Sequence, residues 1–406
     1  MHPAEAAARE SYGRLLSMLA VRTGDLAGAE DALAEAFVAA VESWPRDGAP
    51  NNPEGWLWTA ARRRLVDAGR RRKTSQEKGP LLELAESVDA EMECTTFPDE
   101  RLRLLFVCAH PTIDEDVRTP LMLQVVLGLD AARIATCLRV APKTMGQRLW
   151  RAKTKIREAR IAFDVDAADL PERVFAVLEA IYAAYGSGWE DVTGDTAAAR
   201  GLTEEAIWLA RLIVRLLPED PEAKGLLATM LYSKSREPSR RTPRGAYVPL
   251  SVQDTAHWDR ECLAEAEATL SSAARLGRMG PFQLEAAIQS AHVHARLTGR
   301  DDPQAIALLY DGLVRLAPTL GALVARAVAR SRVDGAEQGL ALLDAVEPAE
   351  SKSAYQPYWS ARAHLLEQLN RHDDARIAYD RAIGLSEDPE VRRFLADRKR
   401  ALAPSR

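Results

Sequence analysis

Apolar residues recur along this chain at the three-and-four spacing of an amphipathic helix, and no stretch alternates long enough to make a half-buried strand. That periodicity restricts the chain to an all-α fold. Local punctuation divides the pattern. A first helix over Glu5 to Arg22 ends at Thr23, Gly24 and Asp25, and a second runs from Ala27 to Trp44, where Pro45 is expected to stop it. Asn51, Asn52 and Pro53 then cap and open a third helix reaching about Arg72.

At 406 residues the chain exceeds what one core can organise, so breaks between helical blocks mark domains. The sequence divides into helical domains over 1–73 and 101–163, joined by an acidic linker over 74–100 that contains Gly79 and Pro80. A short linker, 164–169, precedes a large helical domain over 170–406. Its opening helix carries Val174, Phe175, Val177, Leu178, Ile181, Tyr182 and Tyr185, apolar around too much of its circumference to face solvent, so it is expected to be buried.

The last domain repeats weakly with a period near 34, as stacked helix pairs do. Ala206, Ala210, Ile213 and Pro218 mark one window. Ala305, Leu309, Gly312 and Pro318 mark another, and Trp359, Ala363, Ala375, Tyr379, Ala382 and Pro389 a third. An ordinary alanine-rich bundle produces similar spacing, so both architectures stay open. Glu237 to Asp254, rich in Pro, Arg and Ser, reads as a loop or small hairpin.

The net charge of −5 conceals an uneven distribution. Pro53 to Lys73 holds seven basic residues against Glu54 and Asp67, and Arg139 to Arg160 holds eight against Glu158 alone. Thr74 to Glu100, between them, carries eight acids and only Lys78. Within the second basic block, Ala131, Ile134, Ala135 and Leu138 mark one buried face, Arg139 to Ala141 a turn, and Met145, Leu149, Ala152 and Ile156 a second buried face. Two short helices so joined form a helix-turn-helix. The second helix turns Thr144, Gln147, Arg148, Arg151 and Lys155 outward, a surface suited to a major groove, although a merely solvated basic face has the same pattern. On the Pro53 helix, Trp58 and Arg62 lie four apart and offer an aromatic and a cation to unpaired bases, whereas Trp56 and Leu57 read as core.

Three strings resemble the sigma-70 factors of the extracytoplasmic-function group. Gly28 to Phe37 is similar to region 2.2; Asn52 to Arg62 with Asp67 and Arg70 to Arg72 is similar to regions 2.3 and 2.4; Ala131 to Arg157 is similar to region 4.2. More narrowly, Pro98 to Leu104, Cys108 to Pro111, Leu170 to Arg173, Trp258 to Arg260 and Gly280 to Ile288 resemble the subgroup with a C-terminal tetratricopeptide-like domain, so the likeness covers nearly the whole chain. The resemblance implies that 1–73 is a region 2-like domain, 101–163 a region 4-like domain and 170–406 a tetratricopeptide-like domain. It further implies that Asp31 and Glu35 meet the β′ clamp helices of core RNA polymerase, with region 4 on the β flap. Trp58, Arg62, Arg63 and Arg70 fall at minus-ten positions of promoter DNA, and Lys143, Thr144, Gln147, Arg148, Arg151 and Lys155 at minus-thirty-five positions. The chain departs from the family pattern at Ala34, where Gln is usual, at Arg63, where Asn is usual, and at Arg139, where a generic turn has Gly. Gly146 stands inside the recognition helix, at a cost of about 1 kcal/mol relative to alanine.

Other chemistry finds little purchase. Cys94, Cys108, Cys137 and Cys262 lack metal or disulfide spacing, and Cys108 with His110 reads as structural. His292 and His294, two apart on a helix, point to different faces. There is no P-loop, dinucleotide fingerprint or nucleophile elbow, so no catalytic residue, cofactor or metal is expected and the chain is not expected to be an enzyme. With no signal peptide or long apolar run, a cytoplasmic protein with no membrane partner is expected. The expected partners are core RNA polymerase, promoter DNA and a regulatory protein on the repeats. A helix-turn-helix regulator acting without polymerase, and a protein-binding scaffold, are the competing readings.

Overall fold

The computed structural model describes residues 3–74, 97, 99–138, 140–190, 197–347 and 352–402. Among the described residues the fold is all-α, with eighteen helices and no strand. The acidic linker lies almost wholly outside the described residues, as does Arg139.

Two compact units divide the chain: residues 1–189 with 196–216, and residues 190–195 with 217–406. The break after 216 falls further along than the 164–169 linker, so the first unit includes helices that the sequence assigns to the C-terminal domain.

In the first unit, α1 (Pro3–Thr23), α2 (Leu26–Asp47) and α3 (Pro53–Thr74) pack on one another. Gly24, at φ 62, makes the tight turn after α1, and Asp25 caps α2 by accepting from the Gly28 amide at 3.0 Å. Helix α2 does not stop at Pro45 but continues through it to Asp47. A proline so near the C-terminus sacrifices only a bond of the last turn, and the Gly48 amide still reaches the Trp44 carbonyl at 3.0 Å. Asn52 caps α3, its side-chain oxygen accepting from the Gly55 amide at 2.9 Å.

Helices α4 (Glu100–Cys108), α5 (Glu115–Val125), α6 (Ala131–Cys137) and α7 (Pro142–Glu158) follow. They close against the first three helices: α1 packs on α4 and α5, and α2 on α7. Helices α8 (Leu170–Glu190) and α9 (Ala197–Leu216) complete the unit. The buried Arg173 of α8 pairs with Asp169 at 2.5 Å and donates to the Phe106 carbonyl of α4 at 3.4 Å. Arg101 of α4 stacks 4.1 Å over the Trp208 ring of α9 and pairs with Glu205 on the same helix. Burial of α8 is incomplete. Val174, Val177, Leu178, Ile181 and Tyr185 are inside, but Phe175 and Tyr182 are exposed in one stripe with Glu172 and Glu179, because the neighbouring helices do not cover its whole apolar circumference.

The second unit is a succession of packed helices: α10 (Pro221–Ser235), α11 (Arg260–Ala274), α12 (Pro281–Thr298), α13 (Pro303–Leu316), α14 (Leu320–Asp334), α15 (Ala336–Asp344), α16 (Gln356–Gln368), α17 (His372–Leu385) and α18 (Pro389–Ala401). Most pack chiefly on their sequence neighbours, whereas α12 packs chiefly on α10. Gly225 of α10 admits the backbone at Phe282 and Gln283, where a Cβ would lie 2.5 Å from the Gln283 nitrogen. Glu222 caps α12 by accepting from the Phe282 amide at 2.8 Å. Of the repeat windows, the third is buried in one cluster through Ala363, Ala375, Tyr379 and Ala382, whereas Ala206, Ala210 and Ile213 of the first lie on α9 in the other unit. The 237–254 insertion forms short 3-10 turns and one antiparallel bridge between Arg241 and Tyr247, and Arg241 fixes it to α18 through Asp388 at 2.6 Å. Among the described residues no helix is long and apolar enough to cross a membrane.

Candidate nucleic-acid interface

Helix α7 is anchored by Met145, Leu149, Ala152 and Ile156, all buried as their spacing predicts. On α6, Ile134 and Ala135 are buried, but Ala131 is half-buried and Leu138 is exposed. Leu138 is the residue that ends α6, its amide bonding the Ile134 carbonyl, so it turns away from the face that its spacing assigns to it. Asp130 caps α6 by accepting from the Arg133 amide at 2.8 Å, and Pro142 opens α7 in the first turn, where its missing donor costs nothing.

The cations of α7 divide into two sets. Lys143, Gln147 and Arg151 face solvent with Arg157, and Thr144 is half-buried. Arg148 instead pairs with Asp116 at 3.2 Å and Lys155 with Asp114 at 3.1 Å, both acids standing at the start of α5. Lys153 turns inward, with 14% of its side chain exposed, and holds Glu30 of α2 at 2.6 Å. This pair ties the two basic-helix blocks together. Trp150, which the sequence reasoning passed over, is 67% exposed on the same side as Lys143, Gln147 and Arg151. Its signal was available, since it falls opposite the buried positions on a helical wheel.

On α3, Leu57 is fully buried, while Trp56 is half-buried with its ring edge-on to Trp44 at 5.5 Å. Trp58 is half-buried, and Arg22 of α1 lies 5.2 Å over its ring. With Arg14, Met18, Asn52 and Glu54 it lines a cavity of about 280 Å³. Arg62 is half-buried and Arg63 exposed; Arg64 pairs with Glu35. Arg70 lies outside the residues whose side chains are described. Asp31 and Glu35 are both exposed on α2, in a stripe continued by Val38 and Val41.

Cys108 is buried, and burial pushes its thiol up to about 12, against the opposing pull of Lys153. His292 is half-buried and His294 exposed, so the two do not share an environment.

The outward cations of α3 and α7 and the acidic, apolar stripe of α2 all lie in one helical unit. The model of sigma-70 region 2 matches residues 8–75, which are helices α1 to α3. A family of unknown function, DUF6596, matches residues 173–274. An uncharacterized protein of Rhizobium meliloti (strain 1021) is 38% identical over 366 residues, covering 88% of this chain and 86% of its own length. A protein of Mycobacterium tuberculosis named "Probable ECF RNA polymerase sigma factor SigI" is 26% identical over 171 residues, 41% of this chain and 58% of that protein. No solved structure matches. Sigma-70 region 2 at the N-terminus and the likeness to SigI support a sigma-70 factor of the extracytoplasmic-function type with a helical C-terminal part.

Proposed function

We propose that this chain binds core RNA polymerase, brings it to promoter DNA and directs initiation there, acting by binding and not by catalysis. The observation that carries the reading is the separation of three surfaces within one unit: the Asp31, Glu35, Val38 and Val41 stripe on α2, the Trp58 and Arg63 surface on α3, and the Lys143, Gln147 and Arg151 face on α7. An acidic and apolar stripe suits a protein partner with basic residues, and cationic helices suit phosphates. In this reading α6 and α7 act as a helix-turn-helix on the minus-thirty-five element, α3 serves the opened minus-ten strand, and the work is done in the cytoplasm. The C-terminal unit modulates that activity through a tetratricopeptide-like surface for a regulatory protein, supported by its succession of neighbour-packed helices.

Run-off transcription by core polymerase with and without the full chain tests the proposal. Promoter-dependent transcript is expected only with the chain present, and the Asp31→Lys, Glu35→Lys double substitution is expected to abolish it together with co-purification of core enzyme. Transcript equal to that of core alone would refute the sigma role.

A further inference from the structure

Trp150 has no structural task in its own helix. The buried side of α7 is completed by Met145, Leu149, Ala152 and Ile156, and Trp150 projects from the opposite side with two-thirds of its surface in solvent. Its neighbours at helical spacing are Lys143, Gly146 and Gln147 on the preceding turns and Lys153, Thr154 and Arg157 on the following ones, while Arg151, next in sequence, stands further round the helix. Glu158, the helix's only acid, closes the last turn. Arg148 and Lys155, on the flank toward α5, are engaged by Asp116 and Asp114, so the cations that remain outward are those surrounding the indole. A large apolar ring framed by cations fits a polyanion that also displays apolar groups. Duplex DNA does so in its major groove, where the C5-methyl of thymine is the principal apolar group and the phosphates flank it.

We propose that Trp150 is a specificity-determining residue that reads a thymine methyl in the duplex bound by α7. This rests on the proposed function, in which α7 enters the major groove. The indole would cover the methyl, while Lys143, Arg151 and Arg157 hold phosphates on either side. Gly146, one turn before Trp150, leaves open space where a Cβ would stand, which gives the indole and the groove wall room to approach.

The test uses the full chain with core polymerase and a promoter on which wild-type protein gives transcript. Each thymine of the minus-thirty-five element is replaced singly by uracil, which removes the methyl and keeps the base pair. At one position, uracil is expected to weaken wild-type binding by about fourfold, the ratio that burial of one methyl corresponds to. With Trp150→Ala the same replacement is expected to be neutral, and with Trp150→Phe to retain part of the effect. Unchanged circular dichroism and unchanged co-purification with core enzyme establish that the variants fold and still bind polymerase.

The inference is overturned if uracil is neutral for wild type at every position, or if the uracil penalty is the same in Trp150→Ala. Loss of core enzyme binding in that variant, with no uracil effect in wild type, would give the surface to the polymerase instead and also overturn it. Absence of any promoter-dependent transcript from wild type is a different result, which sinks the proposed function itself.

Discussion

Helices α3 and α7 are both strongly basic, and they use their charge differently. Helix α7 divides its cations between an outward set, Lys143, Arg151 and Arg157, and a set engaged by carboxylates of α5 and α2. On α3, among the residues whose side chains are described, Arg63 is exposed, Arg64 is paired with Glu35, and Trp58 lies beneath Arg22 in a recess. A run of positive charge therefore does not define a binding face. Which cations remain available depends on the carboxylates that the fold brings beside them. An open cationic face suits a duplex, while a recessed aromatic suits a base that has left its stack.

The largest expected effect separates the two helices directly. Arg151→Ala should weaken binding to duplex promoter DNA about tenfold and lower the slope of log affinity against log salt by about 1, as loss of a phosphate contact does. Arg63→Ala should leave duplex affinity nearly unchanged and reduce permanganate reactivity of the opened minus-ten strand. Equal losses of duplex affinity in the two variants, measured by fluorescence anisotropy across salt concentrations, would break the comparison.

A smaller effect is expected at the acids that engage α7. Both pairs are well exposed, so each stabilises the fold by no more than about 1 kcal/mol, and phosphates can compete for Arg148 and Lys155. The double substitution Asp114→Asn, Asp116→Asn should raise duplex affinity about threefold at low salt, with the gain fading as screening increases. An affinity gain independent of salt would show that the acids act by some route other than charge.

The smallest effect concerns pH. Neither α3 nor α7 contains a histidine, so acidification sharpens the contrast by what it leaves alone. Burial holds His292 and His364 below the ordinary histidine value, with neighbouring arginines adding to the shift, and His110 is lowered in the same sense. Above the unfolded value of about 6.5 both states are neutral and the groups contribute nothing. Below it the unfolded chain takes up protons that the folded chain refuses, so stability falls until the folded groups protonate as well. Melting temperature should decline modestly between pH 7.5 and 5.5, and His292→Gln should reduce the decline; a melting temperature that rises on acidification would contradict the direction.

Much of the fold was legible in the sequence because periodicity and capping are local. The α7 core positions, the Asn52 cap and the burial of Leu57 all follow from spacing and side-chain chemistry alone. Two of the misreadings occur at helix ends. Pro45 is tolerated because α2 is nearly over, and Leu138 turns out because α6 has ended, and both depend on where a hydrogen-bonded turn finishes.

The sequence by itself determined that the described residues are helical and that α3 and α7 are basic, because these properties reside in residue type and local spacing, while the likeness to sigma-70 factors came as a resemblance in a few strings. The tertiary structure alone decided which charges are spent inside the protein. Lys153 and Glu30, or Arg101 and Glu205, are remote in sequence and meet only because α7 packs on α2 and α9 on α4. The same packing set the limits of the first unit, carrying α8 and α9 into it past the linker that composition marks. An ion pair between distant positions leaves no periodic trace, since its partners are chosen by the geometry of helix packing and not by their neighbours along the chain.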